Sequence, residues 1–466
     1  MKFNPHPYQQ YAIDRIVSDH YLGLFQDMGL GKTVEVLTAI EELKFNRWEI
    51  RKPLVIAPKK VAEATWSVEA AKWDHLKHMR VIPIMGTAMQ RIKAIEADGD
   101  LWVINRENVT WMVDHLRNSW DFDMVVLDES TSFKNSQSRR FQSLKRVRPK
   151  IHRLVELTGT PSPNGMEDLF AQIYLLDGGK RLGRTLTSFR EAFMTQDYAR
   201  PGQTFRTYSM KPGADAQIRA RIADICVSMS AEDYLDLPDY VEDVIPVALD
   251  SAAQKAYQKL ERDMLLEVDT DMITAGSAAA LSGKLLQLCG GAVYSSAGEV
   301  IDVHSCKIEA FRELIEGLHD EHALVFYWYR HEQDRLTELL EKMGKKVRVY
   351  SGSADAEAWN AGDVDVLLAH PVSCGYGLNL QQGGRHAVWY TLPNWALEIY
   401  QQANKRLHRQ GQKSTVITHI LAVQGGMDED VLSAIRAKGD TQTALIEALK
   451  ARVRNGGCNG AEEKDR

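Results

Sequence analysis

The sequence predicts an α/β protein of two domains, each a parallel β-sheet flanked by helices, with a helical insertion between them. Its first and last thirds alternate short apolar runs with helical patterns, as the βα units of a parallel sheet do. Between about residues 177 and 289, helical periodicity dominates instead. A chain of 466 residues is also too long for one ordinary hydrophobic core.

These patterns predict four segments. They are an N-terminal domain over residues 1–176, a mainly helical insertion and linker over 177–300, a C-terminal domain over 301–450 and a disordered tail over 451–466. The predicted strands are mostly apolar runs bounded by turn residues. They span 21–25, 54–57, 101–104, 124–127 and 154–157 in the first domain, and 324–327, 347–350, 364–369, 387–390 and 416–421 in the second.

Composition argues against several classes of protein. The formal net charge is −6, so the chain is not a generally basic nucleic-acid binder, and any nucleic-acid surface must be local. The five cysteines form no C-x-x-C pair, which argues against a zinc site or a disulfide framework and fits a reducing cytoplasm. No basic leader with an apolar stretch and no run of about 18 apolar residues occurs. We therefore expect a cytoplasmic protein that does not enter a membrane.

A phosphate-binding loop is predicted directly after the first strand. Gly29, Gly31, Lys32 and Thr33 follow that strand, and a helix is expected to begin at Lys32. In such a unit, backbone N–H groups hold phosphates, the lysine adds a positive charge, and the threonine hydroxyl helps to hold Mg²⁺. However, Gln26 stands where the general pattern has its first glycine. A Gly-Lys-Thr triplet alone is also compatible with an ordinary turn before a helix.

Two other predicted strands end in polar residues. Asp128 and Glu129 follow the strand over 124–127, and Thr158 and Thr160 lie at the end of the strand over 154–157. A carboxylate at such a strand end is well placed to hold Mg²⁺, and a second one can activate the attacking water. The alternatives are a solvated Asp-Glu turn and a strand exit with capping hydroxyls.

A basic segment lies between these two strand ends. Residues 134–153 contain eight Lys or Arg and no acidic residue, which reverses the charge of the whole chain. The segment predicts either a patch that binds a phosphate backbone or a solvated helix face.

The C-terminal third carries an arginine pair. Arg406 and Arg409 are three residues apart, which would place them on one helix face, where they could reach a γ-phosphate presented by another domain. The alternative is a basic helix with surface ion pairs. Upstream, Gly377 and Asn379 follow a predicted strand, and glycine there lets the backbone approach a ligand closely.

The order of these strings resembles the helicase-like ATPases of superfamily 2, and within them the SWI/SNF-type translocases of double-stranded DNA, relatives of the DEAD/DEAH-box proteins. The resemblance runs from about residue 5 to about residue 450. Its strings are 7–9, 27–33, 54–58 with Trp66, Glu69 and Trp73, 128–129 with 134–135, 157–161 with Asn164, 377–380 and 402–412. The family's phosphate loop also lacks the first glycine. The strings 367–371 and 409–412 resemble the compact phage-type members.

This resemblance implies two RecA-like domains that hydrolyse ATP with Mg²⁺ in the cleft between them and move along duplex DNA. The nucleotide contacts that it implies are Gln9 (to adenine), Gly29, Gly31, Lys32, Thr33, Thr158, Thr160, Gly377, Asn379 and Gln402. The metal ligands that it implies are Thr33 and Asp128. The catalytic residues that it implies are Lys32, Glu129 as activator of water, and Arg406 and Arg409 as arginine fingers. We expect a monomer that acts in the host cytoplasm if it is phage-encoded.

The sequence departs from the family pattern at a few positions. Ser130 and Thr131 stand where the family has Ala-His, and Leu392 stands where an Asp is usual. Two hypotheses remain: an ATP-dependent DNA translocase or helicase, and an ATP-switched module that grips nucleic acid or a protein without travelling. A small-molecule P-loop kinase would leave Arg406, Arg409 and the second half of the chain without a role. The preference for DNA over RNA comes from the resemblance alone.

Overall fold

The computed structural model describes residues 1–196, 208–270, 275–374 and 379–456, with side chains described except at 263–270, 275–279, 374 and 442–456. The chain divides into two compact units. The first contains Met1–Thr195, Met210–Leu235 and Gly439–Arg466, and the second contains Gln196–Ser209 and Asp236–Lys438. The domain limits expected from the sequence stay a prediction.

The first unit contains a seven-stranded parallel sheet with helices between its strands. In chain order, the elements up to residue 235 are α1 (Pro7–Ser18), β1 (Tyr21–Gln26), α2 (Lys32–Glu41), β2 (Pro53–Ala57), α3 (Trp66–Lys72), β3 (Val81–Ile84), α4 (Ala88–Glu96), β4 (Leu101–Asn105), α5 (Val109–Leu116), β5 (Met124–Asp128), α6 (Arg139–Val147), β6 (Arg153–Thr158), α7 (Asp168–Asp177), α8 (Leu186–Phe193), β7 (Met194–Gln196), β8 (Tyr208–Met210), α9 (Ala214–Ile222), β9 (Cys226–Met229) and α10 (Ala231–Tyr234). The strand order of the sheet is β3-β4-β2-β5-β6-β1-β9, and every pairing is parallel.

The second unit contains a six-stranded parallel sheet. The elements after residue 235 are β10 (Tyr240–Val247), α11 (Ser251–Thr270), α12 (Ala275–Cys289), β11 (Ala292–Tyr294), β12 (Val300–Asp302), α13 (Cys306–Gly317), β13 (Ala323–Phe326), α14 (Arg330–Lys342), β14 (Val347–Val349), α15 (Ser353–Ala361), β15 (Val366–Ala369), α16 (Pro371–Cys374), β16 (His386–Trp389), α17 (Leu397–Asn404), β17 (Val416–Val423) and α18 (Met427–Gly456), which belongs to the second unit as far as Lys438. The strand order is β10-β17-β16-β13-β15-β14. Strands β11 and β12 form a separate antiparallel pair.

The predicted fold class is confirmed, and the apolar runs explain why. Strands β2, β4 and β6 are buried along their whole length, as expected for a parallel sheet covered by helices on both faces. All ten strands predicted from such runs are present within two residues of their expected limits. Within the described residues, no helix combines the length and the apolar character that a membrane-spanning helix needs.

The stretch expected to be mainly helical also contributes a strand to each large sheet. Strand β9 is only four residues long, and β10 is an edge strand that carries Glu242, Asp243 and Pro246 and is exposed along most of its length. A short strand and a polar edge strand lack the apolar run by which the other strands were predicted. After β10 ends at Val247, helices α11 and α12 make up most of the chain up to residue 289.

A completely buried ion pair fixes the start of α18 to α13. Lys307 Nζ lies 2.7 Å from Asp428 Oδ2, and both side chains are 0% exposed. The backbone N–H of Val423, at the end of β17, donates to the same carboxylate oxygen at 3.1 Å. Charges removed from water depend on such partners, so this pair is a sensitive point of the second unit.

Replacing Asp428 by alanine is expected to destabilise the second unit by about 3–5 kcal/mol, because the Lys307 ammonium would stay buried without its counter-charge. The free energy of unfolding in urea measures this loss. The matched control is Lys342→Ala, which breaks an exposed pair with Glu338 at 2.6 Å and is expected to change stability little. The double variant Lys307→Met/Asp428→Leu should be more stable than Asp428→Ala. Equal losses for Asp428→Ala and Lys342→Ala would contradict the assignment.

Candidate nucleotide-binding site

The sheet of the first unit brings three of the predicted strings to one edge. Strands β5, β6 and β1 are adjacent and parallel, so their carboxyl ends lie side by side. Asp128 is the last residue of β5, Thr158 is the last residue of β6, and the glycine loop follows β1. The topology therefore places the loop, the carboxylate pair and the threonines around a common edge.

The glycine loop has the conformation that its residues predict. Gly29 and Gly31 have φ angles of 90° and 99°, in the left-handed region, and α2 begins at Lys32 as expected. Lys32 Nζ donates to the carbonyl oxygens of Gln26 at 2.7 Å and Asp27 at 3.1 Å. The lysine is the first residue of the ten-residue helix α2, and its side chain reaches back across the loop.

Gln9 is bonded to the same loop from α1. Its Nε2 donates to the carbonyl of Leu30 at 2.9 Å, and its Oε1 accepts from the backbone N–H of His6 at 3.0 Å. A Cβ atom added to Gly31 would lie 2.5 Å from Gln9 Nε2. Gln9 therefore supports the loop directly, and its contact with adenine stays a prediction.

The carboxylate pair lies in a desolvated position. Trp66 Nε1 donates to Asp128 Oδ2 at 3.2 Å. Burial raises the pKa of Asp128, and the positive charge of Lys32 opposes that rise. Glu129 is 7% exposed and has φ 58°, a left-handed conformation that costs a non-glycine residue about 1–3 kcal/mol and persists where the surrounding structure enforces it.

The oxygen atoms of Asp128 and Thr33 fit the coordination of a Mg²⁺ ion bound to phosphates. Within the described residues, no group of three or more His, Cys, Asp or Glu side chains could hold a metal by itself. Mg²⁺ needs no such cage, because one or two protein oxygens and the substrate phosphates are enough. Asp128 supplies a half-buried carboxylate at the end of β5, and Thr33 supplies a half-buried hydroxyl in the first turn of α2.

The turn after β6 packs against the glycine loop. Thr158 is 0% exposed, and its Oγ1 accepts from the backbone N–H of Thr160 at 3.0 Å. A Cβ atom on Gly159 would lie 3.2 Å from the carbonyl oxygen of Gln26. The turn therefore lies close against the backbone where β1 leads into the glycine loop.

Two buried polar residues near the site escaped the sequence-based prediction. Burial raises the pKa of Glu35, in the first turn of α2, to about 8, and the charge of Lys32 opposes that rise. Gln172, in the middle of α7, is 0% exposed. Each is a single polar residue among apolar neighbours in a helix, and that pattern could have indicated a buried polar partner.

The basic segment over 134–153 is only partly available for a ligand. The Arg148 guanidinium donates to the carbonyls of Leu175 and Leu176, and Arg153, which is 4% exposed, donates to backbone carbonyls of α1 and pairs with Glu49. These two arginines stabilise the fold, so for them the interpretation as a phosphate patch is wrong. Residue spacing does not distinguish an inward-pointing arginine from an outward-pointing one.

In the second unit, the predicted arginine pair does not lie on a helix face. Helix α17 ends at Asn404, and the backbone N–H of Arg406 bonds to the carbonyl of Ala403 at 3.1 Å, in a turn tighter than an α-helix. Arg406 is 4% exposed and donates from Nε to the carbonyl of Gln402 at 3.1 Å. Burial and the neighbouring charge of Arg406 lower the pKa of Arg409 to about 10. Because the two positive charges oppose each other, this pair favours an anionic ligand.

Gln412 connects the string over 402–412 to residues that follow the string over 377–380. Gln412 Nε2 donates to the carbonyls of Gln381 and Gly384, both at 3.0 Å. The carbonyl of Asn379 accepts from Asn360 Nδ2 at 2.7 Å. Gln402 Nε2 donates to Glu398 at 3.2 Å, and Gly377 lies outside the described residues.

Comparison with known proteins gives a consistent result. A family model described as the SNF2-related domain matches residues 17–289. A protein named p41, of Acyrthosiphon pisum secondary endosymbiont phage 1, is 35% identical over 460 residues, which cover 96% of this chain and 99% of p41. The nuclear protein STH1/NPS1 of Saccharomyces cerevisiae is 26% identical over 95% of this chain, which spans 35% of that relative. The SWI2/SNF2 ATPase core of Sulfolobus solfataricus, solved in complex with dsDNA, covers 97% of this chain and 95% of its own, with 21% identity and a TM-score of 0.45.

Proposed function

This chain belongs to the SNF2-related family, and we propose that it is an ATP-driven motor that moves along duplex DNA. The observation that carries the proposal is the edge of the first sheet, where the Lys32 loop and the Asp128 carboxylate lie at the carboxyl ends of β1 and β5. Enzymes that hydrolyse nucleotides use this arrangement, in which a phosphate-binding loop and a carboxylate that can hold Mg²⁺ follow strands of one sheet. The arginine pair of the second unit also supports the proposal, because neighbouring guanidinium groups can stabilise a transition state whose negative charge is spread over several oxygens.

Each residue has a role in this proposal. Lys32 places a positive charge on the phosphates, and Glu129 accepts the proton of the attacking water. Arg406 and Arg409 stabilise the charge that develops in the transition state. When bound, Mg²⁺ neutralises phosphate charge, and Thr33 and Asp128 would hold it. The remaining nucleotide contacts that we propose are Gln9, Gly29, Gly31, Thr158, Thr160, Gly377, Asn379 and Gln402.

The DNA contact that we propose uses the exposed part of the basic segment. Arg139 and Arg146 on α6 are exposed, as is Lys150 after it. The chain as a whole carries a net charge of −6 and would repel a phosphate backbone. We therefore expect DNA to bind at a local cationic surface such as this one. The resemblance to translocases of double-stranded DNA supports duplex DNA. The phage relative p41 supports action in a host cytoplasm, and we propose a monomer.

ATP hydrolysis is expected to be slow for the protein alone and to rise about tenfold or more with duplex DNA, which corresponds to about 1.4 kcal/mol or more off the barrier. Phosphate release with duplex DNA, single-stranded DNA and RNA in parallel measures this, with Lys32→Ala as the inactive control. A triplex-displacement assay then tests movement. Stimulation without displacement would favour an ATP-switched binding module, and stimulation by RNA alone would overturn the assignment of duplex DNA.

A further inference from the structure

A buried hydrogen bond joins the carboxylate loop to α7. Ser130 follows Glu129 directly, and its Oγ donates to Gln172 Oε1 at 2.8 Å. Both side chains are 0% exposed. A buried hydrogen bond of this kind is costly to break, since each polar group left without a partner lowers the free energy of unfolding by about 1–3 kcal/mol.

The other end of the same amide holds the turn after β6. Gln172 Nε2 donates to the carbonyl of Pro161 at 2.7 Å and to the carbonyl of Asp168 at 2.9 Å. Pro161 belongs to the turn that packs against the glycine loop. One side chain thus accepts from the loop that carries Glu129 and donates to the turn that carries Thr158 and Thr160.

The connection continues from α7 toward the basic segment. Asp168 Oδ2 accepts from the backbone N–H of Asn164 at 2.8 Å and lies 3.7 Å from Lys134 Nζ. Asp168 is the first residue of α7, and Gln172 lies one turn further along. Lys134 begins the basic segment, whose exposed part is the proposed DNA contact.

We propose that Gln172 is a positioning residue that couples the nucleotide site to the DNA-facing segment. If Ser130 moves and the Gln172 amide moves with it, the carbonyl of Pro161 must also shift to keep its hydrogen bond. Otherwise a buried polar group would be left without a partner. A shift of the Glu129–Ser130 loop is therefore passed to the turn after β6, and through Asp168 to Lys134. The DNA part of this inference rests on the proposed function, whereas the coupling between the two loops does not.

Two substitutions test the coupling in the full chain. Ser130→Ala removes only the bond to Gln172, and Gln172→Leu removes the whole connection. We expect both to lower the DNA-stimulated kcat about two- to thirtyfold, the range that single residues contribute to coupling. The KM for ATP is expected to change less than twofold. The matched control is Ser228→Ala on β9, which removes an equally buried hydroxyl that donates to the carbonyl of Phe25 at 3.2 Å instead.

The double variant Ser130→Ala/Gln172→Leu separates coupling from a purely structural role. If the pair only satisfied each other's buried polar groups, the double variant would regain DNA stimulation, together with the stability that the unpaired Ser130 hydroxyl costs Gln172→Leu. Coupling predicts that stability is regained while stimulation stays low. Recovery of stimulation in the double variant would overturn the inference.

Hydrogen–deuterium exchange with a non-hydrolysable ATP analogue gives a readout that does not depend on DNA. In the wild type, the analogue is expected to change exchange in residues 128–135 and also in residues 158–164. In Gln172→Leu, the change is expected in residues 128–135 alone. A change in both segments of that variant, or in only one segment of the wild type, contradicts the coupling. Absence of DNA stimulation in the wild type would instead contradict the proposed function.

Discussion

Glu129→Gln is expected to lower ATP turnover about 10²–10⁴-fold, the contribution typical of a general base, while ATP still binds. Glutamine has nearly the same shape as glutamate but cannot take a proton from water. Because the size is unchanged at a position only 7% exposed, the left-handed backbone of this residue should survive the substitution. Phosphate release gives kcat, and titration with a fluorescent nucleotide gives the dissociation constant.

The matched control for this variant is Glu42→Gln, which follows α2 and replaces a carboxylate that pairs with Arg47. It is expected to leave both constants unchanged. If Glu129→Gln turns over ATP as fast as the wild type, the role assigned to this residue is wrong. If it no longer binds nucleotide, the residue supports the site rather than the chemical step.

Arg409→Ala is expected to lower kcat about 10³-fold or more, the effect reported for arginine fingers. Arg409 is the more informative of the two arginines, because Arg406 also donates to the carbonyl of Gln402 and its loss would disturb the turn. Arg409→Lys keeps the charge but loses the planar fork, so we expect an intermediate rate. Single-turnover hydrolysis separates the chemical step from product release.

Stability distinguishes this effect from simple damage to the second unit. Burial and the charge of Arg406 already disfavour the charged form of Arg409, so Arg409→Ala is expected to change the unfolding temperature little. The control Arg385→Ala breaks an exposed pair with Glu321 and is expected to leave kcat unchanged. A kcat for Arg409→Ala within threefold of the wild type would show that this arginine does not act in catalysis.

The elements that were predictable are those whose sequence signal is local. The apolar runs of β2 and β4 predict buried strands, because both faces of the sheet are covered. The glycines before Lys32 predict the loop, because their positive φ angles need glycine. Strand β10 was not predictable in this way, since an edge strand owes its place to its neighbour β17 rather than to its own pattern.

The features that escaped prediction depend on partners distant in the chain. The end of α17 depends on such a contact, since the side chain of Asn404 accepts from Trp389 Nε1 at 2.9 Å, and the arginine spacing does not report that contact. Arg148 points inward because carbonyls of α7 are there to receive it. Gln172 is the clearest case, since its helix shows that a polar residue is buried but does not name its partners.

The contact between Gln9 and Gly31 has a consequence for how this protein can diverge. Gly31 is held by two independent requirements, its φ of 99° and the amide of Gln9 that fills the space of a Cβ atom. Without Gln9, the φ of 99° alone would still favour glycine at position 31, whereas Gln9 can keep its place only while residue 31 has no Cβ atom. Relatives can therefore replace the glutamine and keep the glycine, but they cannot replace the glycine and keep the glutamine. We expect substitutions at the position of Gln9 to be more frequent than substitutions at the position of Gly31.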